Sequence, residues 1–156
     1  MRVQLKLVLD APPDAVWDAL KSPSVLGEIS HPLLSFAPVE ARGLPHRWDE
    51  GAHPVAVSAL WGLVPVGHQS IDIHFSQHGE TRVLEDSGGP IDGALAVITS
   101  WRHRMAVAPA ADGRTFYRDR LDISAGVLTP FVWIGTWAFW QWRAAGLKRL
   151  AVTWRS

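Results

Sequence analysis

Residues 126–142 read GVLTPFVWIGTWAFWQW, and four of the nine tryptophans of the 156-residue chain fall between positions 133 and 142. The apolar stretch is shorter than the roughly 20 residues that span a bilayer, and it continues into Arg143, Lys148 and Arg149. Positions 133, 137, 140, 144, 147, 151 and 154 instead form one helical stripe of Trp, Ala and Leu. The pattern predicts a core helix from about residue 127, whose first half is enclosed and whose second half emerges toward solvent.

The chain before this helix carries two short helical patterns and a series of extended ones. Residues 2–9 alternate apolar and polar side chains, as in a strand with one buried face. Pro12 and Pro13 then open a short helix, and Pro23 opens a second one. We expect further strands over residues 35–42, 54–63, 68–76, 81–86, 95–107 and 114–124, separated by turn residues. This order predicts one α+β domain over residues 1–156, with helices covering one face of an antiparallel sheet.

The composition narrows the classes of partner. Fifteen basic and fifteen acidic residues cancel, so the chain has no global field that would hold a nucleic acid. The absence of cysteine excludes disulfides, thiol catalysis and thiolate metal sites. The N-terminal residues lack the apolar core of a secretion signal, and we expect a cytoplasmic protein without a transmembrane segment. Peripheral contact with a membrane through Trp and Arg side chains stays open, as does the oligomeric state.

Three stretches carry a resemblance to a known family. They are LDAPPDAVWDAL at residues 9–20, LWGLVPVG at residues 60–67, and YRDRLDI at residues 117–123 before the last helix. With the order of elements, they resemble the helix-grip fold of the START-related or SRPBCC superfamily, which includes polyketide cyclase/dehydrase-like and lipid-transfer proteins. The resemblance implies a curved antiparallel sheet of about seven strands wrapped around a long C-terminal helix. It also implies a cavity for an apolar ligand between sheet and helix.

Two neighbouring strands carry a group of polar residues that could face this space. A hairpin centred near Ala111 places His103 opposite or diagonal to Asp119, with Tyr117 beside Met105. A carboxylate that orients an imidazole can support acid–base chemistry, which makes His103 and Asp119 the catalytic candidates. Two other interpretations remain: the pair satisfies itself in a packed interior, or Asp119 faces outward toward nearby arginines.

The leading hypothesis is a protein that binds a small hydrophobic or aromatic molecule between the sheet and the last helix. One alternative is an enzyme resembling polyketide cyclases, aromatases or dehydratases that uses the His–Asp pair; another is a partner-binding module with a filled core. Whether the protein is an enzyme is left open. The candidate ligand-binding residues are Trp61, Trp101, His103, Tyr117, Asp119, Trp133, Trp137 and Trp140.

Metal and cofactor sites are not predicted. His68, Asp72 and His74 share one strand face, but the two histidines lie about 20 Å apart at about 3.3 Å per residue, which is too far for one ion. The chain also lacks a phosphate-binding glycine loop, a nucleophile elbow and a His-Glu-x-x-His motif. Arg102, Arg104, Arg118 and Arg120 fall on the outer sheet face, where we expect Asp72, Glu85 and Asp122 to neutralise them.

Overall fold

In the computed structural model, which describes residues 1–41 and 43–155, the described strands form one antiparallel sheet. They are β1 (Arg2–Leu9), β2 (Leu34–Pro38), β3 (Gly51–Ala59), β4 (Val64–His78), β5 (Thr81–Asp86), β6 (Gly89–Pro90), β7 (Ser100–Pro109) and β8 (Thr115–Ser124). The helices are α1 (Pro13–Leu20), α2 (Pro23–Ser30) and α3 (Thr129–Ala151). The predicted α+β order is confirmed, because two short helices follow β1 and the long helix follows β8.

The sheet order is β1-β8-β7-β5-β4-β3-β2, and the short strand β6 pairs with β4. Helix α1 contacts β7 and β8, α2 contacts β2, and α3 contacts β1, β8 and α2. All three helices therefore cover the same side of the sheet, and the space between them and the strands is the interior of the protein.

The strands adopt this arrangement because their side chains alternate between the two faces of the sheet. Strand β1 buries Val3, Leu5 and Leu9 and exposes the polar residues between Val3 and Leu7. Strand β8 buries every second residue from Thr115 to Ile123 in the same way. Each buried Leu or Val stabilises the fold by about 1.5–3 kcal/mol relative to an exposed one, so the inner faces determine the register.

The turn between β3 and β4 differs from the sequence-based expectation. The expected strand over residues 54–63 ends at Ala59, and residues 60–63 form the turn. Leu60 and Trp61 have positive φ angles of 49° and 59°, which residues other than glycine rarely adopt. Their backbone N–H groups donate to the carbonyl oxygens of Leu33 and Pro32, so hydrogen bonds to a distant segment hold the turn.

The segment before β7 is also different. Residues 89–90 form strand β6 where only a turn was expected, which makes eight strands instead of about seven. Residues 95–97, expected to begin a strand, belong to a 3-10 helix over Gly93–Val97. This helix crosses β4 at Gly67, where a Cβ added to Gly93 would lie 2.5 Å from the Gly67 Cα. Only two glycines allow that approach, and this crossing is not visible in the local hydrophobic pattern.

Helix α3 buries its second half, whereas the sequence pattern predicted that its first half is enclosed. Its buried residues are Trp140, Arg143, Ala144, Gly146, Leu147 and Ala151, whereas Phe131 is 74% exposed and Ile134 58% exposed. The physical reason is backbone distance: a Cβ added to Gly146 would lie 3.3 Å from the Ile29 Cα, so small residues set the tight contact with α2. No helix among the described residues combines the length and the hydropathy of a membrane-spanning segment.

Substitutions at two glycines of α3 test this packing. Gly135→Ala should raise the free energy of unfolding by about 0.5–1 kcal/mol, because Ala favours a helix and a Cβ at Gly135 meets no neighbour within 4 Å. Gly146→Leu should lower it by about 1–3 kcal/mol, because the new side chain overlaps Ile29. Urea denaturation followed by circular dichroism measures both changes. Equal effects at the two positions would contradict the close packing of α3 on α2.

Candidate functional site

A cavity of about 170 Å³ lies between the helices and the inner face of the sheet. Most of its wall is aliphatic or aromatic, contributed by all three helices and by β2, β3, β4, β5 and β7. The other side chains of the wall are Gln69, Asp86, His103, Thr136 and Arg143. An apolar chamber with a few polar groups is the usual form of a small-molecule site.

Behind this wall, the carboxylate of Asp119 accepts three hydrogen bonds. His103 Nε2 lies 2.7 Å from Asp119 Oδ1, and Trp140 Nε1 donates to the same oxygen at 2.8 Å. The Tyr117 hydroxyl donates to Oδ2 at 2.7 Å. Asp119 is only 1% exposed, so these donors replace the water that a carboxylate would otherwise bind.

The strand register explains why these groups meet. His103 lies opposite Leu121 in the β7–β8 pair, so Asp119 is its diagonal neighbour on the same face. Tyr117 follows two positions away on β8 and shares that face, although it lies opposite Val107 and not Met105. The structure therefore brings His103, Tyr117 and Asp119 together. An outward-facing Asp119 is excluded, and Arg102 and Arg104 bind Glu85 instead.

The surroundings of Asp119 and Tyr117 shift the pKa values of these two side chains in opposite directions. Burial opposes the charge of Asp119, but the charge and hydrogen bond of His103, the charge of Arg143 and the Trp140 N–H outweigh it. Together they lower the pKa of Asp119 from 3.8 to about 2. Burial and the adjacent carboxylate raise the pKa of Tyr117 well above its ordinary value, so its phenol remains a hydrogen-bond donor at neutral pH.

A second buried carboxylate, Asp86, was not among the predicted site residues. Trp101 Nε1 donates to Asp86 Oδ2 at 3.1 Å, and the backbone N–H groups of Asp72 and Gly88 donate to Oδ1 at 2.9 and 3.0 Å. The available signal was the sequence Asp86-Ser-Gly-Gly, since an Asp before glycines often binds the backbone of its own turn. The contact with Trp101 depends on the pairing of β5 with β7 and has no local signal.

Arg143 is the other site residue that the sequence pattern did not identify. It lines the cavity at 4% exposure, and its guanidinium carbon lies 4.7 Å from the centre of the Trp140 ring. In the sequence, Arg143 reads as the first basic residue after an apolar stretch, which would place it in solvent. Burial of the second half of α3 places it in the wall instead.

No protein-family model and no curated protein matches the chain, whereas solved structures do. A START superfamily protein from Mycobacterium smegmatis matches over 96% of each chain with a TM-score of 0.67 and 13% identity. A norcoclaurine synthase from Thalictrum, solved in complex with a transition-state analogue, matches over 98% of this chain and 94% of that one, with a TM-score of 0.63 and 12% identity. The Aha1 dimer from Colwellia psychrerythraea matches over 100% of this chain and 99% of that one, with a TM-score of 0.59 and 12% identity.

This chain has the helix-grip fold. The predicted fold is thus confirmed, and identities of 12–13% extend the likeness to architecture alone. Within the helix grip, α3 is the helix held against the curved sheet, and the cavity lies beside its middle turns.

The eight candidate ligand-binding residues occupy different places in the helix grip. Trp101, His103 and Trp140 line the cavity, and their rings contact one another with centroids 5.1–6.2 Å apart. Tyr117 and Asp119 lie in the layer behind His103. The other three lie outside the wall: Trp61 in the β3–β4 turn at 64% exposure, Trp137 at 46% exposure, and Trp133, whose indole donates to the Arg2 carbonyl.

A surface groove adjoins the cavity between α3 and the chain before β2. Leu34, Thr136 and Phe139 line both the groove and the cavity, so these three side chains separate the interior from the surface. The indole of Trp142 donates to the His31 carbonyl at 3.0 Å and ties α3 to this segment.

The other polar groups of interest are on the surface. Among the described residues, no cluster of three or more His, Asp or Glu side chains could hold a metal ion. His68 pairs with Asp92 at 2.9 Å, and His74 lies 3.5 Å from Asp72. The predicted neutralisation of outer arginines is confirmed for Glu85, which binds Arg102 and Arg104, and for Asp122, which binds Arg2 and Arg120.

Replacement of the central carboxylate tests the hydrogen-bond network. Asp119→Asn should lower the free energy of unfolding at pH 7 by about 2–4 kcal/mol, because an amide cannot accept from three fixed donors. A carboxyl group whose pKa falls on folding stabilises the protein above its ordinary value of 3.8, and this contribution is lost as pH falls toward 2. The difference between wild type and variant should therefore shrink over that acidic range in denaturant titrations.

The matched control is Asp122→Asn on the same strand, which removes the negative charge that pairs with Arg2 and Arg120. It should change the free energy of unfolding by less than about 1 kcal/mol. A difference between wild type and Asp119→Asn that stayed constant from neutral to acidic pH would contradict an ionised, hydrogen-bonded Asp119.

Proposed function

We propose that this protein binds a small apolar or aromatic molecule in the cavity between the sheet and α3. The observation that carries the proposal is the chamber of about 170 Å³ whose aromatic wall includes Trp101 and Trp140. An engineered cavity of about 150 Å³ in another protein holds benzene, so one aromatic ring with a small substituent fits the available volume. Apolar area removed from water inside such a chamber contributes about 25 cal/mol per Å² to binding.

The rigidity of the wall also supports binding. The indole N–H groups of Trp101 and Trp140 are held by buried carboxylates, so both rings keep their orientation without a ligand. A preformed aromatic wall lowers the entropy lost on binding. A protein of the same fold, norcoclaurine synthase, has been solved in complex with a transition-state analogue, which is consistent with a small-molecule site in this architecture.

Catalysis on the bound molecule is the second candidate function, and the His103–Asp119 contact favours it. Asp119 binds Nε2 and orients the ring, while Nδ1 has no hydrogen-bond partner among the described residues. An oriented imidazole at a cavity wall can move a proton to or from a ligand, as in cyclase, aromatase or dehydratase chemistry. The hydroxyl of Thr136, which also lines the cavity, donates to the Val132 carbonyl. The cavity favours both of these functions over a partner-binding module with a filled core.

Filling the chamber tests the binding proposal. Val57 lines the cavity and is 2% exposed, so Val57→Phe should occupy the space and weaken binding of toluene or indole about tenfold or more. Isothermal titration calorimetry gives the affinities, and indole N–H resonances in ¹⁵N NMR spectra show which tryptophans respond. We expect shifts at Trp101 and Trp140 and none at the exposed Trp61.

The control Val8→Phe places the same side chain on the exposed face of β1 and should leave affinity unchanged. Thermal melts check that both variants are folded. Failure of wild-type protein to bind a library of single-ring apolar compounds, or equal binding by Val57→Phe, would overturn the proposal.

A separate substitution distinguishes binding from catalysis. If a bound compound is converted, His103→Gln should reduce the rate about 100-fold or more, because one acid–base group contributes 10²–10⁴ to rate. The same variant should retain ligand affinity within about threefold, since the wall keeps its apolar surface. Conversion that continued at the wild-type rate would exclude His103 as the catalytic group.

A further inference from the structure

One buried cation in the cavity wall lacks a partner. Arg143 is 4% exposed and lines the cavity, and its Nε has no hydrogen-bond acceptor in the described residues. No described carboxylate forms an ion pair with it, and its guanidinium contacts the rings of Phe139 and Trp140. Burial of an unpaired guanidinium is unfavourable, so a folded protein that keeps one is expected to use it.

Neither of the two buried carboxylates near the cavity forms an ion pair with Arg143. Asp86 accepts from Trp101 and from two backbone N–H groups, and Asp119 accepts from His103, Tyr117 and Trp140. Each carboxylate is therefore hydrogen-bonded to groups other than Arg143. Arg143 lies close enough to lower the pKa of Asp119 but forms no ion pair with it.

We propose that the ligand of this cavity is a small aromatic or short-chain carboxylate, and that the guanidinium of Arg143 binds its carboxylate group. The proposal rests on the binding function proposed above and specifies the class of ligand. A guanidinium presents two parallel N–H groups that match the two oxygens of a carboxylate. The apolar part of the ligand then lies against Trp101 and the aliphatic side chains that line the same cavity.

The position of Arg143 on α3 prepares it for this contact. Its guanidinium stacks on Trp140, and the Trp140 ring is itself held by Asp119. A guanidinium fixed by stacking loses less freedom when it binds than a flexible one. Asp86 and Asp119 repel a second anion, but neither carboxylate forms an ion pair with Arg143. A ligand carboxylate in direct contact with the guanidinium forms charge-assisted hydrogen bonds, which outweigh repulsion over a longer distance.

Pairs of compounds with the same shape and different charge test the proposal. Benzoate and benzamide, and cinnamate and cinnamamide, differ mainly in the charge of one group. For wild-type protein at pH 7 we expect calorimetry to show about tenfold or tighter binding of each carboxylate than of its amide. Arg143→Met should abolish this preference and leave the affinity for the amides within about threefold.

Two further variants and a thermal melt show whether the effect of Arg143→Met comes from the lost carboxylate contact. Arg143→Lys keeps a charge without the paired N–H groups and should retain part of the preference. Arg149→Met, at an exposed position of the last turn, should change nothing. Thermal melts without ligand check that Arg143→Met is folded.

The outcomes separate the two proposals. If the amides bind as tightly as the carboxylates, or if Arg143→Met keeps the preference for carboxylates, the role of Arg143 is overturned while the binding function stands. If neither member of any pair binds to wild-type protein, both proposals fail. A loss of carboxylate binding in Arg149→Met equal to that in Arg143→Met would also overturn the role of Arg143, because the effect would then come from general surface charge.

Discussion

The carboxylate of Asp119 is the group on which the rest of the site depends, because it joins elements that are distant in the chain. It accepts hydrogen bonds from β7 through His103, from its own strand through Tyr117, and from α3 through Trp140. A buried carboxylate remains ionised only where such donors replace water, so the three contacts support one another. The docking of α3 on the sheet, and therefore the shape of the cavity, is tied to the satisfaction of this one charge.

The two halves of α3 have different tasks in this arrangement. Where the helix carries Ala144, Gly146 and Ala151, it approaches its neighbours closely and forms solid core. Where it carries Phe139 and Trp140, the large rings form the wall of a chamber instead of filling it. Nearer its start the helix is exposed, and its middle turns, over residues 135–145, border the groove that adjoins the chamber. One helix thus supplies the contact that stabilises the fold and the surface that a ligand would meet.

Part of the site could be predicted because it depends on local pattern. The period-2 alternation of β7 and β8 and the short hairpin between them were enough to place His103 near Asp119. The partners that come from elsewhere could not be predicted in this way. Trp140 reaches Asp119 across 21 residues, and Trp101 reaches Asp86 through the pairing of β5 with β7, so both contacts require the assembled sheet and helix.

The sequence by itself determined the class of fold: the order of helices and strands, the inner face of each strand and the neutral charge of the chain follow from residue types and their spacing. Only the tertiary structure decided which apolar residues are enclosed, and that Arg143 is buried beside a cavity while Trp137 and Phe131 meet solvent. The reason is that the chain has more apolar side chains than its core can enclose. Burial then depends on how closely two backbones approach, which residues far away in the sequence control.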